Sequence, residues 1–132
     1  MTTTTTTNVD TVRRIYEAFG QGNVEAILSY LREDVEWISH FDPIVPWAGD
    51  FSGKVNVPRF FGAIFENVEV LGFQPREFVS AGDTVVSMGS FSCKSKATGK
   101  SATSEWVFIW KFLDGKVSSY TQFHDPSIQA IF

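Results

Sequence analysis

The sequence predicts an α+β fold, with three helices from the N-terminal half packed on one face of a curved antiparallel sheet. Three observations predict it. Helical periodicity is confined to the first half of the 132 residues. Strand-like alternation takes over from Val68. Leu113-Asp114-Gly115 then interrupts the most regular alternating stretch, and Asp-Gly is a strong hairpin signal. A chain of this length makes one domain and buries roughly two-thirds of its unfolded surface, so it can hold a core without staples.

The elements follow in order. The Thr-rich start, residues 1–8, is low in complexity and is expected to be a disordered tail ahead of a single domain at 9–132. Val12, Ile15, Tyr16 and Phe19 make one face of a helix from Val9 to Gly20, capped by Asn8 or Asp10 and ended by Gly20 and Gly22. Asn23 caps a second helix with Val24, Ile27, Leu28 and Leu31 on its buried stripe. The "GQGN" link makes the two a hairpin. Asp34–Ser39 reads as a short strand with Val35, Trp37 and Ser39 on one side. The Pro- and Gly-rich run His40–Gly53 has no period and is expected to be a rim loop. A third helix starts near Asn56, with Val57, Phe60, Phe61, Ile64 and Phe65 on one face and Pro58 in its first turn. From Val68 to Gly82 the chain is a strand pair or one strand broken at Pro75. Asp83–Ala97 and then Ser101–His124, folded at Asp114-Gly115, supply the rest of the sheet.

Alternation assigns faces. Trp106, Phe108, Trp110 and Phe112 share one face, and Tyr120, Gln122 and His124 join it from the next strand. Glu105, Val107, Ile109 and Lys111 lie opposite, with Thr121 and Phe123. The second face is too apolar to meet water alone, so a two-fold homodimer through it is expected.

Composition narrows the function. Thirteen Phe and four Trp exceed what a small core needs, so rings are expected to line a cavity or an interface. The net charge is −4 and no Lys/Arg block occurs, which disfavours nucleic acid. No apolar run nears the ~18 residues of a membrane span. The start lacks a signal peptide's basic and apolar regions, so the cytoplasm is expected. The lone Cys93 excludes an internal disulfide, and two His without ligand spacing argue against a metal site. No phosphate-cradling glycine motif is present, and no cofactor is expected.

"YEAFGQGNVEAILSYLREDVEW", "PWAGDFSGKVNVPRFF", "FVSAGDTVV" and "WKFLDGKVSSYTQFHDPSIQAIF" together resemble the SnoaL-like branch of the nuclear-transport-factor-2-like superfamily, which includes polyketide cyclases and is related to ketosteroid isomerases. The resemblance spans nearly everything after the Thr run. It implies a cone: a bent sheet around a deep pocket closed by helices, commonly dimeric. It also implies an Asp general base at the end of the last strand, where Asp125 stands. Ketosteroid isomerase chemistry fits less well. Its base position falls at about Ser39, its oxyanion tyrosine near Ile15 and its second acid near Phe108.

Candidate catalytic residues are therefore Asp125 and His124. Asp125-Pro126-Ser127-Ile128 is also a good helix start, with Asp as cap, and both readings stand. Neighbours on a strand point apart, so alternation sends only His124 to the Trp106 face. Tyr16, Trp37, His40, Trp47, Phe61, Trp106, Phe108, Trp110, Tyr120 and Gln122 are the candidate ligand contacts. Phe60 is a further aromatic near the roof. The sequence leaves three functions open. One is an enzyme of the cofactor-independent isomerase or cyclase type that moves a proton on a small hydrophobic carbonyl compound. The others are a non-catalytic binding module and a dimeric interaction domain.

Overall fold

The structure, a computed structural model, describes residues 7–132, so the first six residues of the expected Thr-rich tail lie outside it. Asn8 already belongs to the first helix, α1 (Asn8–Gly20), and Thr7 precedes it. Thr7, not Asn8 or Asp10, is the cap. Its hydroxyl accepts from the Asp10 N–H, and the Asp10 carboxylate accepts from the Thr7 N–H. This reciprocal pair satisfies two donors that a helix start leaves free. Val12, Ile15 and Tyr16 are buried on the predicted face. Gly22, at φ 68, turns the chain into α2 (Val24–Leu28), capped by Asn23 as expected. That helix is shorter than its apolar spacing suggested. Leu31 opens β1 (Leu31–His40) instead, paired with Val117.

After β1 come β2 (Gly49–Asp50), α3 (Val57–Asn67), β3 (Val68–Ala81), β4 (Thr84–Ser95), β5 (Ser101–Leu113), β6 (Lys116–His124) and a closing 3₁₀ turn, Pro126–Ile131. The six strands form one sheet in the order β2-β1-β6-β5-β4-β3. All neighbours are antiparallel except β1 and β6, which run parallel. The chain from 68 to 81 is one strand, not a pair. It continues through Pro75 because β3 is a sheet edge, where a missing N–H breaks no inner ladder, and a register shift absorbs the Pro75–Glu77 step. The β5–β6 hairpin turns where predicted, with Asp114 and Gly115 both at positive φ (53° and 80°).

The run after β1 is more than a rim. Phe51 N–H donates to Trp37 O and Gly53 N–H to Val35 O, so the loop doubles back along β1. Val45 and Trp47 are buried in the core. The helices and this loop cover the concave face of the sheet, the predicted face of Trp106, Phe108, Trp110 and Phe112, all buried. On the convex face Val107 and Phe123 remain 36% and 43% exposed. Among the described residues no helix is long and apolar enough to cross a membrane.

Candidate functional site

The concave face holds a cavity of about 50 Å³. Ile15, Tyr16 and Phe19 of α1 and Phe60, Phe61 and Ile64 of α3 form its roof. Trp37, Trp47, Phe73, Phe91, Phe108, Trp110, Tyr120, Gln122 and His124 complete the lining. The helical faces read from 3.6-residue spacing and the strand faces read from alternation thus converge on one space. Rings meet edge to face around it, such as Trp37 with Phe60 at 5.6 Å and with Trp110 at 5.9 Å. Trp37 also lies 4.2 Å from Tyr120, as the β1–β6 register requires.

Polar groups gather in two places. At the α1 side the Trp110 indole N–H donates to Tyr16 Oη (3.0 Å), and Tyr16 O–H donates to Ser87 Oγ (2.9 Å). Burial raises the Tyr16 phenol far above its ordinary value despite these bonds, so it stays a neutral donor. Under β1 and β6 lies the second group. Tyr120 O–H donates to Gln122 Oε1 (2.7 Å), and the Gln122 amide donates to Ser39 Oγ (2.5 Å). His124 Nε2 is 3.3 Å from the same Gln122 oxygen, and its Nδ1 is 3.1 Å from Ser104 Oγ. Because Gln122 Oε1 can only accept, His124 donates through Nε2–H, and Nδ1 accepts from Ser104. Burial pushes the His124 pKa down to about 3, against the opposing pull of Asp125, so the ring is neutral at pH 7.

Eight of the ten candidate contacts line the cavity: Tyr16, Trp37, Trp47, Phe61, Phe108, Trp110, Tyr120 and Gln122. Trp106 is buried on the correct face, but it stacks on Phe108 (3.9 Å) and Phe73 (5.1 Å) behind the wall. His40 is a correction. It is exposed on the convex side, stacked on Phe123 at 4.5 Å, because β1 alternates and Trp37 and Ser39 already face inward. The two candidate catalytic residues part as alternation requires. His124 lines the cavity, and Asp125 does not. The Asp125 carboxylate accepts from Glu105 N–H (2.7 Å) and Ser127 N–H (2.9 Å), capping the closing turn. Burial acts to raise its pKa, but those hydrogen bonds and His124 outweigh it and hold the carboxyl below the usual value. The Asp125 carboxylate is thus engaged by two backbone N–H groups and lies outside the cavity lining.

Sequence reasoning did not single out Phe73 and Phe91 of the lining, nor Ser87 and Ser104 among the polar groups, and it read Ser39 as inward-facing without giving it a partner. The three serines are buried on the inward register. Alternation alone could have shown Ser87, two residues from Val85, and Ser104, two from Trp106. Beyond His124 lies a surface groove of about 330 Å³, lined by His40, Phe41, Asp42, His124, Asp125, Pro126 and Gln129. Phe41, half-buried, stacks on His124 at 4.2 Å, so these two rings stand between groove and cavity. Among the described residues no cluster of His, Cys, Asp and Glu could hold a metal ion.

A bent sheet roofed by helices over an aromatic cavity defines a cone-shaped α+β pocket protein. The family model of the SnoaL-like domain matches residues 12–120, and the chain belongs to that family. Among solved structures it is similar to an NTF2-like protein of Burkholderia xenovorans (30% identity, TM-score 0.80, covering 89% of this chain and 88% of that one). An NTF2-like protein of unknown function from Burkholderia pseudomallei is 28% identical, with TM-score 0.78 and coverages of 89% and 90%. TerC, co-crystallised with polyporic acid, is 26% identical, with TM-score 0.76 and coverages of 89% and 91%. No functionally curated protein matches the chain in sequence.

Proposed function

We propose that this SnoaL-like protein binds a small, flat, uncharged aromatic molecule in the concave cavity. One observation carries the reading. Ser39, Tyr120, Gln122 and His124 form a buried polar cluster that opens on a space otherwise walled by rings. A filled apolar core gains nothing from such a cluster, because burying polar groups is costly unless they are used. No lining residue carries a charge at pH 7, which selects against ions. TerC, 26% identical to this chain, was co-crystallised with polyporic acid, which supports a small-molecule reading. The present void of about 50 Å³ is smaller than the ~150 Å³ that holds benzene. Swinging Phe41 off His124 would join it to the groove and bring the whole within the ~300–1,000 Å³ of ligand sites. Titration with indane, followed by tryptophan fluorescence, should give saturable 1:1 binding that a folded Ile64→Phe variant loses. Absence of binding, or binding indifferent to that variant, would remove the proposal.

A second reading is an enzyme of the isomerase or cyclase type. It is favoured by the neutral His124 imidazole, which keeps a lone pair beside the cavity. In this reading His124 takes a proton from the carbon next to a carbonyl, the C–H electron pair passes into the enolate, and the proton returns to carbon. That lone pair is on Nδ1 and is held by Ser104, which must release it first. The assay is deuterium uptake at the α-carbon of 1-indanone in D2O. His124→Gln should abolish any acceleration, and a wild-type rate equal to buffer would end this reading.

The apolar convex face, with Val107 and Phe123 exposed, supports a homodimer through it. Light scattering should give about twice 14.8 kDa. A single-chain mass in dilute solution counts against it.

A further inference from the structure

A ligand needs a way into the cavity, and the walls limit where that way can be. Every residue of the lining is buried except Phe19, Phe73 and His124. The wall therefore reaches the surface at two places. One is His124, at the groove. The other is the seam between the end of α1 and β3, where Phe19 and Phe73 meet edge to face at 5.2 Å.

The two places differ in what holds them shut. His124 is hydrogen-bonded to Ser104 (3.1 Å) and Gln122 (3.3 Å), and Phe41 stacks on it. Moving the imidazole would leave both buried partners short of a bond. The groove outside carries the Asp42 and Asp125 carboxylates, whose hydration an uncharged ring would have to displace. At the seam only rings stand in the way. Phe19 meets Phe61 at 6.0 Å and Phe65 at 5.6 Å besides Phe73. Its backbone is fixed, since Gly22 N–H donates to Phe19 O (3.0 Å) and Asn23 N–H to Ala18 O (2.8 Å). The seam can therefore open by rotation of one side chain with α1 kept in place. Gly20, next to it, leaves room, because a Cβ there would meet nothing within 4 Å. Phe73 is the fixed side. It stacks on Trp106 at 5.1 Å and meets Tyr16 edge to face at 5.1 Å. Apolar surface continues past the seam: Phe65 is half-buried, and Leu71, two residues before Phe73, is 54% exposed.

We propose that the α1–β3 seam is the entrance to the cavity and that Phe19 is its gate, turning away from the fixed ring of Phe73 to admit an uncharged ligand. The inference rests on the ligand-binding reading above and adds the path that the ligand takes. On this path Phe41 need not move for a ligand to enter; its swing only adds room once the ligand is inside. A gate acts on rates. Opening precedes both entry and exit, so easing it speeds both. A side chain that only lined the wall would act otherwise: its loss would speed exit and leave entry unchanged. The association rate constant is therefore the quantity to read.

Stopped-flow mixing of the whole chain with indane, followed by tryptophan fluorescence, gives both rate constants. Phe19→Ala should raise the association rate constant roughly 2–10-fold, the factor set by losing one edge-to-face ring contact. Should Phe19→Ala fail to fold, Phe19→Leu keeps an apolar side chain but no ring to close the seam, and it should shift the constant the same way. Phe41→Ala, which frees the groove side, should raise it less than either. An association rate unchanged by loss of the Phe19 ring, or raised more by Phe41→Ala, overturns the gate and leaves the pocket reading intact. Failure of wild type to bind indane at all overturns the pocket reading itself, and the gate with it.

Discussion

The neutrality of His124 can be tested without a ligand. Its pKa is held at about 3, from an ordinary 6.5, mainly by burial. Between those values the unfolded chain binds a proton that the folded chain refuses. The stability due to the neutral ring is therefore fully present above pH 6.5 and is lost as pH falls toward 3. At pH 5 the unfolded histidine lies about 1.5 units below its midpoint, so at ~1.36 kcal/mol per unit the loss relative to pH 7 is about 2 kcal/mol. Any folded value under about 4 gives the same result at pH 5, so the magnitude depends on burial alone. The perturbation is His124→Gln, whose amide can still donate toward Gln122 and accept from Ser104 but does not titrate. Urea unfolding of both proteins at pH 7, 6 and 5, at fixed protomer concentration, gives the stability difference at each pH. His40 and Asp42 in the neighbouring groove are common to both proteins and cancel. Asp125, its carboxyl held low, stays ionised across the window. Wild type should lose about 2 kcal/mol relative to the variant between pH 7 and 5. A difference flat within ~0.5 kcal/mol would mean that His124 is solvated or protonated in the fold, and the hydrogen-bond assignment at Gln122 would fail with it.

Three further outcomes follow from single contacts. Asp125→Ala should cost about 1–2 kcal/mol in urea unfolding, because two backbone N–H groups lose their acceptor, while Asp125→Asn retains most of the cap and neither changes indane binding. Gly89→Ala should destabilise by roughly 1–3 kcal/mol on thermal melting, since an added Cβ would stand 2.3 Å from Gln74 O and 2.6 Å from the Trp106 ring. Cys93 is buried and its thiol is pushed up to about 11 by burial, so a thiol reagent at pH 8 should label it only after unfolding, and prompt labelling of the native protein would refute its burial.

Much of this site was legible because alternation is a local rule. The stretch from Glu105 to Lys111 writes its two faces in side-chain size, and Tyr120, Gln122 and His124 follow from the hairpin that Asp114-Gly115 fixes. The same rule, carried along β1, would have sent His40 outward, since Trp37 and Ser39 set the inward register. What alternation does not carry is partnership. Nothing local to Ser39 announces that it meets Gln122, 83 residues on, because that contact depends on β1 lying parallel to β6. Nor does the face of Trp106 reveal that Phe73 and Phe108 seal it from the cavity. Short helices mislead for a related reason. Leu31 continues the apolar spacing of α2, yet pairing with Val117 draws it into the sheet.

The neighbouring His124 and Asp125 show how one step along a strand divides labour. The strand turns His124 into the cone, where desolvation strips its charge and leaves a directional donor and acceptor. The next residue faces away, meets two backbone N–H groups and keeps its charge for capping. Their roles would exchange only if the register slipped by one, and β6 is held against that by the Gln122–Ser39 hydrogen bond to β1 and by the Asp114-Gly115 turn at its start. The acid at the end of the last strand therefore serves the cap, and the side chain this end of β6 presents to the cavity is His124.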